Sequence, residues 1–515
     1  MSTRRITLWS ALVGALAAVV ALAVAELVAA LMAAPEGSPL FAVGSLVIDL
    51  VPGWFKTFII GLFGTADKAV LLVSLGILVA LLALGIGVLQ YRRPPWGVVA
   101  LVAVGAVALF AVGTRAGADV FSAAPTLLGV VAGLIVLRVA TDRLHAWTAT
   151  LAAPPARLAV TRRNFLLVFG GTAAGALIVG IGARAMNAAT EAVNSVRDSL
   201  VLPKPAVAAP AVPAGAELDI AGITPLFTDN ATFYRIDTAL QVPVIDARTW
   251  KLKITGMVER EVEIDFEQLL ALPLTEHVVT LMCVSNEVGG SLVGNATWLG
   301  YPIRELLLKA GPMPGADMVL STSIDGFTAG SPLEVLLEED RTSLLAVGMN
   351  GQPLPIEHGF PARLVVPGLY GYVSATKWVV ELKVTTFAAD MGYWTPRGWS
   401  ALGPVKTASR IDVPRSGTSV SSGTVAVAGV AWAQHRGIEG VEVRVDDGQW
   451  QQATLAAAIS TDTWVQWSYE WDATSGNHTV AVRATGAVDD TQRENRIPPA
   501  PDGSEGYHTI TVTVE

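Results

Sequence analysis

"TLMCVSNEVGGSLVGNATWLGYPIRELL", residues 280–307, contains Cys283, the single cysteine of a 515-residue chain. The cysteine follows an apolar run, "HVVTLM", and precedes a polar Ser-Asn turn with two glycines. That order reads as a strand ending at the sulfur, then a Ser-Asn turn, with a helical run, "IRELLLKAG", further on. One cysteine cannot form an internal disulfide or a multi-thiolate zinc site, so any chemistry at Cys283 must use one sulfur.

Working outward, residues 219–386 alternate short β-branched runs, such as "WKLKITGMV" and "ARLVVPG", with short helical ones, "FEQLLAL" and "IRELLLKAG". This is an α+β pattern. Regular βαβ alternation is missing and no GxGxxG follows a strand, which argues against a dinucleotide domain. Beyond about residue 418 the pattern becomes all strand, in "TVAVAGVAWA", "GVEVRVDDGQW", "TWVQWSYEWD", "HTVAVRATG" and "YHTITVTVE". Strands at that spacing read as an immunoglobulin-like sandwich, with Trp450, Trp464, Trp467 and Trp471 expected in its core.

The first 187 residues are mostly Ala, Val, Leu and Gly. Five stretches reach bilayer length: Leu8 to Met32, Ala69 to Gln90, Trp96 to Val112, Val120 to Val139 and Phe165 to Ala185. Arg4 and Arg5, "YRRPP" at 91–95 and the arginines from Arg138 to Arg163 fall on one side of these spans. The positive-inside rule then puts everything after residue 187 outside the cytoplasm of a bacterial cell, as the end of a multi-pass membrane protein. The stretch 38–64, with Asp49, Pro52, Gly53 and Lys56, is expected to lie in the interface rather than to span. Glu26, in the first span, reads either as part of an ion path or as a packed carboxyl. "TRRNFLLVFGG" at 161–171 resembles a twin-arginine export signal. His145 is placed outside the spans, so no paired histidines face each other across helices and no haem is expected in this chain. "LVLPKPAVAAPAVPAGAEL" at 200–218 reads as an extended Pro/Ala spacer. The expected division is 1–187 membrane region, 188–218 linker, 219–410 catalytic domain and 411–515 sandwich. A net charge of −9, with no basic cluster in the soluble half, excludes a nucleic-acid partner.

Three segments carry a family resemblance. The cysteine stretch, 280–307, resembles the molybdenum-cysteine segment of the sulfite oxidase family of molybdopterin-dependent oxidoreductases. "LLAVGMNGQPLPIEHGFPARLVVPGLYGYVSATKWVVELKV" (344–384) is similar to the family's pterin-binding stretch, and "NATFYRIDTALQVP" (230–243) to its opening. Their order and spacing also agree. The resemblance implies a molybdenum-molybdopterin cofactor with one pterin dithiolene, the metal held by the Cys283 thiolate. A soft thiolate suits such a metal and leaves its other positions free for atom transfer. The cofactor's phosphate and pterin need cationic and amide-like donors, which the resemblance assigns to His358, Arg363, Ser374, Thr376 and Lys377, with Thr322 in "LSTSIDGF". Asn230, Phe233 and Tyr234 match residues that contact pterin and metal. Arg235 matches the arginine that faces the metal and holds an oxyanion.

Two positions depart from sulfite oxidases. Val347 stands where those enzymes place a catalytic tyrosine, a position that is apolar in periplasmic methionine-sulfoxide reductase subunits. Those reductases carry a glutamate two residues after the cysteine, where this chain has Ser285. The implied activity is two-electron oxygen-atom transfer on a small sulfur or nitrogen oxyanion, S-oxide or N-oxide, with electrons exchanged with a cytochrome or other membrane carrier. The alternative is a membrane-tethered binding or scaffold protein that keeps the fold without turnover. In the family the C-terminal sandwich often mediates homodimers.

Overall fold

The computed structural model describes residues 2–32, 38–52, 55, 58–59, 62–63, 67–115, 118, 121–151, 155–185, 197–240, 242–487 and 490–515. The chain forms two compact units, residues 1–192 with 239–241 and residues 193–238 with 242–515.

The first unit contains helices α1 (Thr3–Leu31), α2 (Pro39–Leu50), α3 (Asp67–Arg92), α4 (Trp96–Gly113), α5 (Ala124–Ala149) and α6 (Pro155–Ala185). Among the described residues, four helices are long and apolar enough to cross a membrane: α1, α3, α4, and α5 with the 3-10 turn before it. The fifth expected span falls within α6, whose side chains are described as far as Ala176. Small residues let α1 and α3 meet backbone to backbone. A Cβ on Gly14 would lie 2.0 Å from the Ala83 carbonyl oxygen, and one on Gly87 would lie 2.1 Å from that of Ser10. In the stretch read as interfacial, α2 carries Asp49, paired with Arg115 at 2.9 Å; Gly53 and Lys56 lie outside the described residues. Glu26 accepts a hydrogen bond from the Ser38 hydroxyl at 2.5 Å. One expectation needs correcting: His145 lies inside α5, stacked on Tyr91 at 4.2 Å, because that helix runs ten residues past the expected span end at Val139.

The second unit begins with an α+β part. Its elements are β1 (Lys251–Gly256), β2 (Val262–Asp265), α7 (Phe266–Leu270), β3 (Thr275–Met282), β4 (Val293–Pro302), α8 (Ile303–Ala310), β5 (Met318–Ser323), β6 (Thr328–Pro332), α9 (Leu333–Leu337), β7 (Leu344–Met349), β8 (Gln352–Pro353), β9 (Arg363–Val365), α10 (Gly371–Ser374) and β10 (Val379–Thr385). They make two sheets, β2-β1-β10-β5-β6 and β3-β4-β7-β8, the latter with β9 also paired to β7. All six residues of β7 are buried, so it forms the inner rib of the second sheet. β7 turns into β8 through Asn350 and Gly351, both at positive φ (51° and 74°), the geometry an Asn-Gly hairpin turn requires.

The sandwich contains β11 (Ala408–Val413), β12 (Thr418–Val420), β13 (Gly423–Trp432), β14 (Ile438–Val445), β15 (Gln451–Gln452), β16 (Thr454–Leu455), β17 (Val465–Ala473), β18 (Gly476–Gly486), β19 (Asp490–Thr491) and β20 (His508–Val514). One sheet runs β11-β13-β17-β16 and the other β12-β20-β18-β14-β15, with β19 on β18. Trp467 and Trp471 fill the space between them with Val480, Val482, Ile510 and Val512. The expected boundary between 410 and 411 cuts through β11, which belongs to this sandwich, so the sandwich starts at Ala408. Trp450 is not a core residue. Its half-buried ring lies between the guanidinium groups of Arg444 and Arg483, 4.6 and 4.4 Å from the ring centre.

The Pro/Ala segment also differs from a free spacer. The Ala206 N–H donates to the Leu274 carbonyl at 2.7 Å, Val207 bridges Thr275 in parallel, and the Leu218 N–H donates to Gln466 Oε1 at 2.6 Å. Backbone groups that a spacer would leave to water are paired here with β3 and β17. Residues 188–196 lie outside the described residues.

Candidate active site

Cys283 follows the last residue of β3. Its N–H donates to the Leu292 carbonyl at 2.9 Å and its carbonyl accepts from the Asn286 N–H at 3.0 Å, which ties both ends of the loop together. The Asn286 side-chain oxygen closes the same loop on the Leu292 N–H at 2.7 Å. Burial pushes the Cys283 thiol up, while hydrogen bonds from the Ser285 backbone and hydroxyl oppose it. A thiol in that environment ionises when a cation is present to share the charge.

The sandwich packs against this strand. Thr280 donates from its hydroxyl to Asn295 Oδ1 at 2.9 Å and accepts from the Trp464 N–H at 2.8 Å. The Thr280 carbonyl accepts from Gln434 Nε2 at 3.0 Å. The Asn286 carbonyl accepts from the Ser504 hydroxyl at 2.6 Å, and the Gly290 carbonyl from Arg410 at 2.8 Å. The cysteine loop is therefore held from both domains.

Trp298, on β4, forms a floor to the site. It is fully buried and its indole N–H donates to the Val279 carbonyl at 3.2 Å. The Arg363 guanidinium lies 5.1 Å from its ring centre and Phe233 meets it edge-on at 5.8 Å. Phe233 also packs on His358 at 5.6 Å and stacks with Tyr234 at 5.1 Å. This ring cluster explains Gly294, where a Cβ would lie 2.7 Å from Phe233. Asn230 is fixed by the hairpin turn: its Oδ1 accepts from Asn350 Nδ2 at 2.9 Å, and its backbone carbonyl meets His358 Nε2 at 3.1 Å.

The charges here do not balance. Arg363 is 5% exposed and donates only to backbone carbonyls, of Leu364, His358 and Ala375, at 3.2 to 3.4 Å. Among the described residues no carboxylate pairs with it. Burial draws the guanidinium down to about 10, and burial with the charges of Arg363 and Lys377 draws His358 down to about 4, so its imidazole is neutral at pH 7. Lys377, also buried, is drawn down to about 8, with Asp237 opposing that shift. Its ammonium donates to Asp237 Oδ2 at 2.7 Å and to the Glu357 carbonyl at 3.0 Å. Arg235 Nε donates to the same Asp237 oxygen at 2.9 Å. Tyr234 is pushed well above the ordinary phenol range by burial first and by the Cys283 charge second.

The structure thus brings Asn230, Phe233, Tyr234, Arg235, His358, Arg363 and Lys377 together by direct contact or mutual electrostatics. Thr376 lies beside Lys377, its hydroxyl within 2.7 Å of Ser321 Oγ. Ser374 is fully buried, its hydroxyl donating to the Tyr370 carbonyl at 3.0 Å. Thr322 is not joined to this group. Neighbouring strand residues face opposite ways, and Ser321 is the one turned toward Thr376. Ser323, on the same face as Ser321, has a buried hydroxyl without a partner among the described residues. Val347 is fully buried in β7. Sequence reasoning missed Asp237, Trp298, Ser321, Ser323 and Asn350. For Asp237 the available signal was an acid two residues after an arginine in a segment already matched.

A buried guanidinium without a carboxylate is costly unless an anion with acceptor atoms completes it. Those residues fit a group that carries a phosphate and a polar heterocycle.

The comparisons with known proteins agree with that chemistry. The family model described as oxidoreductase molybdopterin binding domain matches residues 239–394, and that described as bacterial Ig domain matches residues 408–482. The uncharacterized oxidoreductase YuiH of Bacillus subtilis is 35% identical over 158 residues, covering 31% of this chain and 76% of that protein. Mitochondrial sulfite oxidase of Mus musculus is 29% identical over 271 residues, covering 44% of this chain and 49% of that protein. A solved structure, the sulfane dehydrogenase SoxCD of Paracoccus pantotrophus, is 22% identical, with a TM-score of 0.49 over 57% of this chain and 84% of that one. The fold is an N-terminal set of apolar helices, a molybdopterin-binding α+β domain and an immunoglobulin-like sandwich. The chain belongs to the sulfite oxidase family of molybdopterin-dependent oxidoreductases. It spans about half the length of the mitochondrial sulfite oxidases it matches.

Proposed function

We propose that this protein is a membrane-anchored molybdenum-cofactor oxidoreductase that transfers an oxygen atom and two electrons to or from a small sulfur or nitrogen oxo compound. In this reading the catalytic part lies outside the cytoplasm of a bacterial cell, following the arginine bias along the helices. Export of the folded, loaded domain through the twin-arginine sequence fits the same reading. Electrons pass one at a time to or from a cytochrome or another membrane carrier.

When bound, the cofactor supplies a metal that exchanges one oxygen atom and two electrons with the substrate. The chain's own residues bind and orient. Cys283 supplies the metal's thiolate ligand, braced by the Leu292 and Asn286 bonds. Arg363, Lys377, neutral His358 and the Thr376 hydroxyl would hold the phosphate and pterin. Asn230, Phe233 and Tyr234 would contact the pterin and metal, and Arg235 would meet the substrate. The observation that carries this reading is the Arg363 guanidinium, buried with backbone carbonyls alone for partners beside the ring floor of Trp298.

Metal analysis of the full chain, purified from a host that makes the cofactor, tests it. Stoichiometric molybdenum that is lost in Cys283→Ser supports the assignment. Absence of molybdenum in the unchanged protein, or full molybdenum and turnover in Cys283→Ser, rejects it. Bound molybdenum that no reductant or oxidant changes would mark a binding protein instead.

A further inference from the structure

We infer that His508 is an acid-sensitive latch on the cysteine loop: uncharged, its imidazole holds the Gly289–Gly290 turn closed, and on taking up a proton it releases that turn. His508 opens β20 and is half-buried. Its Nδ1 accepts the Ile411 N–H at 2.9 Å, so Nδ1 carries the lone pair and the proton of the neutral ring sits on Nε2. The Nε2 edge of the ring lies against Gly289, which holds a φ of 78° and leaves no room there for a Cβ. Gly290, the next residue, gives its carbonyl to Arg410 at 2.8 Å, and Arg410 directly precedes Ile411. One imidazole therefore supports the turn twice, by contact on Gly289 and, through Ile411, by fixing the strand that presents Arg410 to Gly290. The turn leads into Leu292, whose carbonyl and N–H hold Cys283 and Asn286.

A second proton can go only to Nδ1. Once protonated, Nδ1 no longer accepts, and it would face the Ile411 N–H donor to donor. The new charge also meets charges already present. On β11, Arg410 opposes it, and Asp412 favours it but is already paired with Arg410 at 2.7 Å. The segment leading into β20 brings Arg496, which opposes it as well. On the cysteine loop, Glu287 is exposed and lies 3.9 Å from Arg496. On β18 the cross-strand neighbour is Val482, which carries no charge. Burial acts first, and with these charges it draws the imidazole from 6.5 down to about 4. A released turn returns the ring to water, where it takes up the proton near its ordinary value. Between those values the open form binds more protons than the closed one, so falling pH favours opening. The Ser504 hydroxyl keeps its bond to the Asn286 carbonyl, so opening is confined to the half of the loop after Asn286. The latch stands apart from the function proposed above, in which this loop would also carry the metal's ligand.

The buried thiol of Cys283, the single cysteine of the chain, is the reporter. The test uses the full chain in detergent, made without cofactor, as the unchanged protein and as His508→Asn. Reaction with 4,4′-dithiodipyridine, which attacks thiols in mild acid, is followed at about pH 7.5 and about pH 5, each rate divided by that of glutathione at the same pH. The expected result is that the normalised rate rises about twentyfold on going to the lower pH in the unchanged protein. In His508→Asn, whose amide oxygen can accept from Ile411 but takes up no proton, it should rise less than about threefold. A rate that does not change in the unchanged protein, or an equal rise in both, overturns the inference. If His508→Asn does not fold, hydrogen exchange in the unchanged protein decides. Corrected for the intrinsic exchange rate, residues 287–292 should lose about twentyfold in protection between the same two pH values while β17 keeps its own. Equal loss in both segments would show that acid loosens the whole unit, and would overturn the latch.

Discussion

The indole N–H of Trp432, in the sandwich, points at the sulfur of Met282 at 3.0 Å, one residue before Cys283. The sandwich is therefore part of what positions the cysteine. Trp432 is 2% exposed, so Trp432→Ala should cost about 3–5 kcal/mol, from the lost transfer energy and the cavity left at the domain junction. Trp432→Phe keeps most of the volume and loses only the contact to sulfur, for about 1 kcal/mol. Urea unfolding of the full chain in detergent reads both. Molybdenum retention should fall in the alanine variant and hold in the phenylalanine one.

Arg363 gives a prediction whose sign separates structural from cofactor roles. A guanidinium buried without a carboxylate destabilises the cofactor-free fold, because desolvation is not repaid by backbone carbonyls at 3.2 to 3.4 Å. Arg363→Met should leave the melting temperature of cofactor-free protein unchanged or raise it, yet cut molybdenum retention about tenfold or more. A fall in both would show that the arginine serves the fold itself.

How much of this was readable from sequence depends on the kind of constraint. The cysteine loop was legible because its parts are local: a strand end, an Asn-capped turn and two glycines. The strands of the sandwich were legible from period-two alternation. Asp237 was not, because its partner Lys377 is 140 residues away and only tertiary structure brings them to 2.7 Å. Thr322 was assigned on a motif whose loop length differs from the pattern, which leaves the facing of a period-two strand unset, and it is Ser321 whose hydroxyl meets Thr376. Trp450 was misread as core because composition does not distinguish a ring packed in a sandwich from one packed between two arginines. The Pro/Ala segment read as a free spacer because its pairing with β3 uses backbone groups, which leave no mark in side-chain pattern.

Thr280 joins strand, loop and sandwich through one hydroxyl, donating to Asn295 and accepting from Trp464. Thr280→Val keeps the shape and removes both bonds, leaving a buried amide oxygen and a buried N–H unsatisfied. The expected cost is about 2–4 kcal/mol in unfolding free energy. Thr280→Ser, which retains the hydroxyl and loses a methyl, should cost about 1 kcal/mol. Equal costs for the two would show that packing, not the hydroxyl, holds this junction.

His358 sets the direction of an acid response. Its imidazole is 3% exposed and drawn down to about 4, first by burial and then by Arg363 and Lys377. The unfolded chain takes up this proton near its ordinary value of 6.5 and the folded chain only near 4. Between those values the unfolded state binds more protons, so stability rises with pH through that window. The contribution is fully present above about pH 6.5 and is lost as pH falls toward 4, by about 3 kcal/mol in all. His508 is also drawn down to about 4 and adds a parallel loss. In His358→Gln the contributions of the other groups, His508 among them, remain, so the drop in unfolding free energy between about pH 7.5 and about pH 4.5 should shrink by about 2–3 kcal/mol. Urea midpoints of the full chain at the two pH values measure it, and an unchanged drop would mean that His358 takes up its proton in the folded state as readily as in the unfolded one.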